Sequence, residues 1–245
     1  MMADVFTVMW KDLKEIARAA GGARRGAWSL LIFLGAFGVF MPLQFGREWV
    51  ESPATLLYWA WVPLFMVSSS VADSFAGERE RHTLETLLAS RLSDRAILFG
   101  KFGAAIGYGW GLTMVSLILG LVTVNVAHGR GQLLLYPAPI FISLIVLTLL
   151  ASALAASIGV LVSLRAPTVQ SAAQRLSLGI MLIVFAPILL SWIAPIEWRV
   201  RIGQALQAAD FTGISIAAAV VLIVLNAVLL AATLARFQRA RLILD

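Results

Sequence analysis

Apolar residues gather in six long runs separated by short charged stretches: Ala27 to Phe45, Ala54 to Val71, Phe102 to Ala127, Pro137 to Leu164, Leu176 to Ile196 and Gly213 to Ala235. Coiled as a helix, each run reaches across the roughly 30 Å of hydrocarbon in a bilayer. Asp, Glu, Lys and Arg are almost absent inside them, so the pattern predicts an all-α, polytopic fold with six transmembrane helices in one domain spanning 1–245. Two stretches outside the runs carry a helical period of their own. Within 1–26, Val5, Phe6, Met9, Trp10, Leu13, Ile16 and Ala17 form an apolar stripe opposed by Asp4, Lys11, Asp12, Lys14, Glu15 and Arg18. This predicts an amphipathic interfacial helix that turns at Gly21 and Gly22 before the first run. Pro195 ends the fifth run, and Trp198, Ile202, Ala205, Leu206 and Ala209 then recur at helical spacing, which predicts a short external or re-entrant helix within 197–212.

Composition narrows the class. Hydrophobic residues make up 60% of the 245 and charged ones 13%, values of a membrane protein with no room for a second folded domain. The absence of cysteine excludes disulfides and thiolate metal sites, and His82 and His128 stand on different loops without ligands beside them, so no metal is expected. The net charge of +6 would suggest nucleic acid in a soluble chain; here the basic residues flank apolar runs, and no nucleic-acid partner is expected. Their distribution sets the topology. Lys11, Lys14, Arg18, Arg24, Arg25, Arg79, Arg81, Arg91, Arg95, Lys101, Arg165, Arg175, Arg236, Arg239 and Arg241 fall on one side of a six-span fold, against Arg47, Arg130, Arg199 and Arg201 on the other. The positive-inside rule puts both termini and the 77–101 stretch in the cytoplasm; a bacterial or archaeal plasma membrane, crossed several times, is the expected location. The first run is too long and too far from the start for a cleaved signal peptide, so the amino terminus is expected to stay attached.

Chemistry inside the runs is sparse. The polar exceptions are Asn125, Asn226 and scattered Ser and Thr, including Ser68, Ser69 and Ser70. A proton- or sodium-coupled carrier needs buried ionisable groups, and an intramembrane hydrolase needs an activated nucleophile with its base; neither pattern is present. A phosphate-binding loop is missing too, because Arg95 stands where the first glycine before Gly100 and Lys101 would be, and Phe102 replaces the Ser or Thr. The chain is therefore not expected to be an enzyme or to hold a cofactor, and energy for uphill movement would enter from outside it. Gly103, Gly107 and Gly111 recur every four residues, as do Ala151, Ala155 and Gly159, a spacing that serves close helix packing within the chain or a dimer interface. Trp28, Trp49, Trp59, Trp61, Trp192 and Trp198 lie near run ends, where amphipathic rings anchor at the interface.

The stretch Gly77 to Lys101, GERERHTLETLLASRLSDRAILFGK, differs from everything around it. Leu84, Leu87 and Leu88 share one helical stripe, and Glu78, Arg81 and Glu85 another, which predicts a short surface helix. By periodicity alone it is either a solvated helix with internal pairs such as Arg81 with Glu85, or a docking element. The stretch resembles the signature of the type-2 ATP-binding-cassette (ABC) exporter permeases, roughly Gly-Glu-x-Glu-x-Gly-Thr-Leu-Glu-x-Leu-Leu, then Pro-Leu-Ser and Ile-Leu-x-Gly-Lys. It matches at Gly77, Glu78, Glu80, Thr83, Leu84, Glu85, Leu87, Leu88, Leu92, Ser93, Ile97, Leu98, Gly100 and Lys101. His82 stands where that pattern has glycine, and Arg91 where it has proline.

The resemblance implies that 77–90 is a coupling helix docking on separate ATPase subunits, which bind ATP and Mg. Leu84, Leu87 and Leu88 would enter a cleft of that partner, and Glu78, Glu80, Arg81, Thr83 and Glu85 would surround them. It also implies a homodimer, or a pair with a similar permease, and a substrate path between the halves along the second and fifth helices, with Trp59, Trp61, Ser68, Ser69 and Ser70 as lining candidates. The alternative is a membrane scaffold that uses the same helix to hold a partner and transports nothing.

Overall fold

The computed structural model of the chain describes residues 2–22, 24–83, 91–208 and 210–236. Its described residues are helices and their connections, with no strand among them. Helix α1 covers Met2–Gly22, and α2 (Arg24–Gly35) runs through a π-helical turn at Ala36–Phe40 into α3 (Met41–Phe45). A single turn, α4 (Glu48–Glu51), leads to α5 (Thr55–Glu80). Then come α6 (Asp94–His128), α7 (Ala138–Ser163), α8 (Val169–Ile193), α9 (Ile196–Ala208) and α10 (Phe211–Arg236). Four of them, α5, α6, α7 and α10, are long and apolar enough to cross a membrane, whereas the apolar part of the first run, Leu30–Phe45, is shorter.

Local chemistry sets the boundaries. Ser93 caps α6 by accepting from the Ala96 N–H at 3.2 Å. Thr168 and Ser171 form a capping box at the start of α8, which ends at Ile193, two residues before Pro195. The π turn has a visible cause: the Thr123 hydroxyl of α6 donates to the Gly38 carbonyl at 2.8 Å, drawing it out of the α-helical ladder, and Leu119 packs where a Gly38 side chain would stand. The two in-run asparagines are structural. Asn125 pairs with both backbone groups of Leu134 at 2.7 and 2.8 Å and closes the turn in which Arg130 and Gly131 take positive φ. Asn226 of α10 donates to the Leu150 carbonyl of α7 at 3.1 Å.

Packing is centred on α5, α6 and α7. The α5–α7 contact is the most extensive; α1 lies against the first turns of α6, α8 against α5, and α10 against α7. Toward the end that carries residues 77–101, the charged end, the core is Val71, Phe75, Ile97, Leu98, Ala156 and Val160. Toward the far end it is aromatic, with Trp49 and Trp59 packed at a 5.8 Å ring separation inside a set that includes Phe37 and Tyr58. Small residues let backbones approach: Gly159 admits Val71, and Gly109 admits Val67, where any Cβ would collide.

Candidate functional site at the charged end

The apolar pattern places the end of the second helix near Val71, yet α5 continues to Glu80, so Gly77–Glu80 is its last turn and not the start of a separate surface helix. The extension holds because the charged side chains of this turn find partners on other elements. It stops in a Schellman turn: the His82 N–H donates to the Arg79 carbonyl at 3.1 Å and the Thr83 N–H to the Glu78 carbonyl at 2.9 Å. His82 takes φ 54°, the left-handed position that glycine adopts without strain.

Glu78 points inward. Lys101 Nζ, on the second turn of α6, lies 3.4 Å from Glu78 Oε1 and 3.2 Å from Asp12 Oδ2 of α1. Lys11 Nζ stands 3.7 Å from Glu78 Oε1, and the Thr83 hydroxyl donates to the other Glu78 oxygen. The side chains of Lys101, Glu78 and Asp12 are only 3, 8 and 10% exposed. Two buried carboxylates thus face the buried Lys101 ammonium and, at the rim, the half-exposed Lys11, and the Lys101 ammonium lies 5.4 Å from the Phe75 ring centre. Burial pushes the Asp12 carboxyl above its ordinary pKa, and the Lys101 charge and hydrogen bond offset this only in part. The approach of α1 is permitted by glycine: a Cβ on Gly100 would stand 2.5 Å from Val8 Cβ, Gly103 faces Met9, and Gly107 faces Leu13. Nothing lies within 4 Å of a Cβ built on Gly111.

The other half of the turn reaches the α7–α8 connection. Arg79 donates to the carbonyls of Leu164 at 3.0 Å and Ala166 at 2.6 Å, just past the end of α7. Glu80 Oε1 accepts the N–H of Val169, the first residue of α8, at 3.2 Å. A cation therefore meets a helix C-terminus and an anion meets a helix N-terminus, both favourable with respect to the helix dipoles. Beneath them the Ser163 hydroxyl accepts from the N–H groups of Phe75 and Ala76 at 3.1 and 3.0 Å and donates to the Ala72 carbonyl at 3.1 Å. Ala72, Ala76, Ala166, Ala172 and Leu176 pack around this point.

The placement of the other expected residues follows. Arg81 pairs with Asp73 at 3.1 Å, eight residues or about two turns back across Gly77. Leu84, Glu85, Leu87 and Leu88 lie outside the described residues. Trp59 is wholly enclosed, while Trp61 is partly open and meets Phe37 and Phe65 edge-on. The hydroxyls of Ser68 and Ser70 donate to the carbonyls of Phe65 and Val67 in their own helix, and the Ser69 side chain lies outside the described set. Ala151, Ala155 and Gly159 are buried on α7. From the sequence Asp12 is one residue of a polar face, Arg79 part of the basic asymmetry and Lys101 a motif match, and none of these, nor Ser163, is marked there as the partner of another element. Among the described residues no three His, Asp or Glu gather as a metal would require.

Residues 62–242 match the family model of the ABC-2 family transporter proteins, most of the chain, and the protein belongs to that family. It is accordingly a multi-pass membrane protein, the permease component of an ABC transporter, and the family implies ATPase partner subunits. No curated protein matches the chain.

Proposed function

We propose that the protein is one permease half of an ABC exporter, crossing the membrane six times with both termini and the 77–101 loop in the cytoplasm. It pairs with a second copy or a similar permease and is driven by ATPase subunits that bind ATP and Mg. The first run (α2 and α3) and α8 are the two remaining spans; α1 lies in the cytoplasmic interface, and α9 caps the external side. The basic-residue asymmetry supports this topology. Uncovered apolar surface supports the pairing: Leu182 of α8 is 68% exposed and Ile193 80%, and α10 packs mainly on α7. Cargo would pass between the halves along α5 and α8, beside Trp61, Ser68, Ser69 and Ser70, with Trp59 behind them in the core.

The observation that carries the coupling role is the closed base of the loop. Glu78 before the 84–90 segment and Lys101 after it meet in one buried ion network, which also holds α1. A partner pressing on that segment would move the ends of α5 and α6 together, where a loop on loose ends would absorb the motion. In this account Leu84, Leu87 and Leu88 enter the ATPase cleft, with Glu85 beside them, while Glu78 and Thr83 hold the base.

Copurification from native membrane tests the assignment. An ATPase subunit in near-equal amount, with ATP-dependent cargo movement in reconstituted vesicles, is expected. A stable partner without ATPase activity would point to a scaffold instead, and cargo movement that persists without nucleotide but collapses with an ionophore would rule the exporter out.

A further inference from the structure

We propose that Arg79 and Glu80 are positioning residues that clasp the 163–169 connection to the base of the coupling loop, so that the two loops meet the ATPase and move as a single body. This rests on the exporter assignment above and adds to it a second loop, which the sequence pattern left without a role.

Glu78 and Glu80 lie in the last turn of α5, where the carbonyl end of the helix disfavours negative charge. Glu78 is compensated by Lys101 and Lys11. For Glu80 the compensation is the Val169 N–H at the start of α8, a donor that its own helix cannot satisfy. Arg79 complements this by taking the Leu164 and Ala166 carbonyls at the other side of the same turn. Two neighbouring residues of opposite charge thus grip the two ends of one connection, and exchanging their signs would set both against the dipoles they face.

Arg79 and Glu80 are the last residues before the turn that opens the coupling loop, while their partners lie 85 to 89 positions away in sequence. Between those partners Arg165 and Pro167 are exposed, so the clasp presents them next to the last turn of α5, the base of the loop. The Ser163 hydroxyl under the clasp binds α5 backbone at Phe75, Ala76 and Ala72, so the connection has little freedom to slide along α5. Relative motion of the loops requires these charge-assisted bonds to break together.

Spin labels at Arg91→Cys and Pro167→Cys in the otherwise cysteine-free chain, within the native complex with its ATPase, test the proposal. Interlabel distances are read by pulsed electron resonance without nucleotide and with ATP and vanadate. The unaltered clasp is expected to give one narrow distribution that nucleotide does not shift. Arg79→Ala should still pull down the ATPase, and both it and the milder Glu80→Gln should give a distribution that broadens or moves when nucleotide is added. Arg79→Lys, which keeps the charge and loses the fork, should fall between. A distribution in both variants as narrow and as insensitive to nucleotide as the parent's, with the ATPase retained, would overturn the proposal. Failure of the parent itself to retain an ATPase would overturn the exporter assignment beneath it.

Discussion

Replacing Lys101 with Met removes the centre of the ion network while keeping a side chain of similar length. Lys101 is 3% exposed and faces Asp12 and Glu78 at 3.2 and 3.4 Å, so its loss leaves two buried carboxylates without their shared cation. Glu78 keeps Lys11 and the Thr83 hydroxyl, but Lys11 is 52% exposed and solvent-screened, and Asp12 loses its closest cation. Breaking a buried pair from one side costs about 3 to 5 kcal/mol. For a chain of this length that is a fall in Tm of roughly 10 °C. The penalty depends on pH with a definite sign. The Asp12 carboxyl, already above its ordinary 3.8, should rise further in the variant, because Lys101 no longer lowers it. Its contribution to stability is complete below 3.8 and is lost as pH rises through the higher folded-state value. The difference between variant and parent should therefore be full at neutral pH and shrink as pH falls toward 4. Thermal unfolding in detergent and hydrogen exchange across α1 are the assays, with Lys14→Met as a control whose exposed contact with Trp10 is worth under about 1 kcal/mol. Restoring neutrality with Asp12→Asn on the Lys101→Met background should recover much of the loss. A Lys101→Met protein with the parent's Tm and unchanged exchange over α1 would refute the reasoning.

Other outcomes follow from single contacts. Gly100→Ala places a methyl 2.5 Å from Val8 Cβ and should cost about 1 to 3 kcal/mol and loosen α1, whereas Gly111→Ala meets open space and should be neutral or stabilising by up to about 1 kcal/mol; paired melting curves check both. Ser163→Ala strips three hydrogen bonds from the α5–α7 junction and should lower stability by roughly 1 to 3 kcal/mol, read as faster exchange at the Phe75 and Ala76 amides. His82→Gly should relieve the left-handed residue in the Schellman turn and stabilise by about 1 kcal/mol; a fall in Tm would show that the histidine side chain holds the turn in some other way. Single cysteines at 91 and 130 should react with an impermeant maleimide in intact cells only at 130, and the reverse pattern would invert the topology.

The apolar runs made the helices legible because lipid-crossing segments must be both long and uncharged. What they could not show was where charge continues a helix. Gly77–Glu80 reads as the beginning of a loop, and becomes the end of α5 only because Lys101, Leu164, Ala166 and Val169, between 23 and 89 positions away, receive its side chains. Long-range partners leave no period in the sequence. The glycine stripe of the third run was legible as a close-packing device but not as the place where α1 docks, since helical spacing says which residues share a face and not what covers it. Trp49 and Trp59 read as interfacial anchors by their place at the run ends, but the fold buries both rings and packs them together at 5.8 Å. The His82 departure from the permease pattern was visible, and its consequence, a non-glycine residue at φ 54°, required the turn itself.

The central claim is that the loop suspended between Glu78 and Lys101 is the docking element for an ATPase. Leu87→Ala with Leu88→Ala, assayed by pull-down of the ATPase from native membrane beside a Gln132→Ala control at the far end, tests it most directly. The account predicts that the double variant folds, reaches the membrane and loses tenfold to a hundredfold in affinity, the equivalent of about 1 to 3 kcal/mol from a buried contact. Binding and ATP hydrolysis at the level of the control would contradict it.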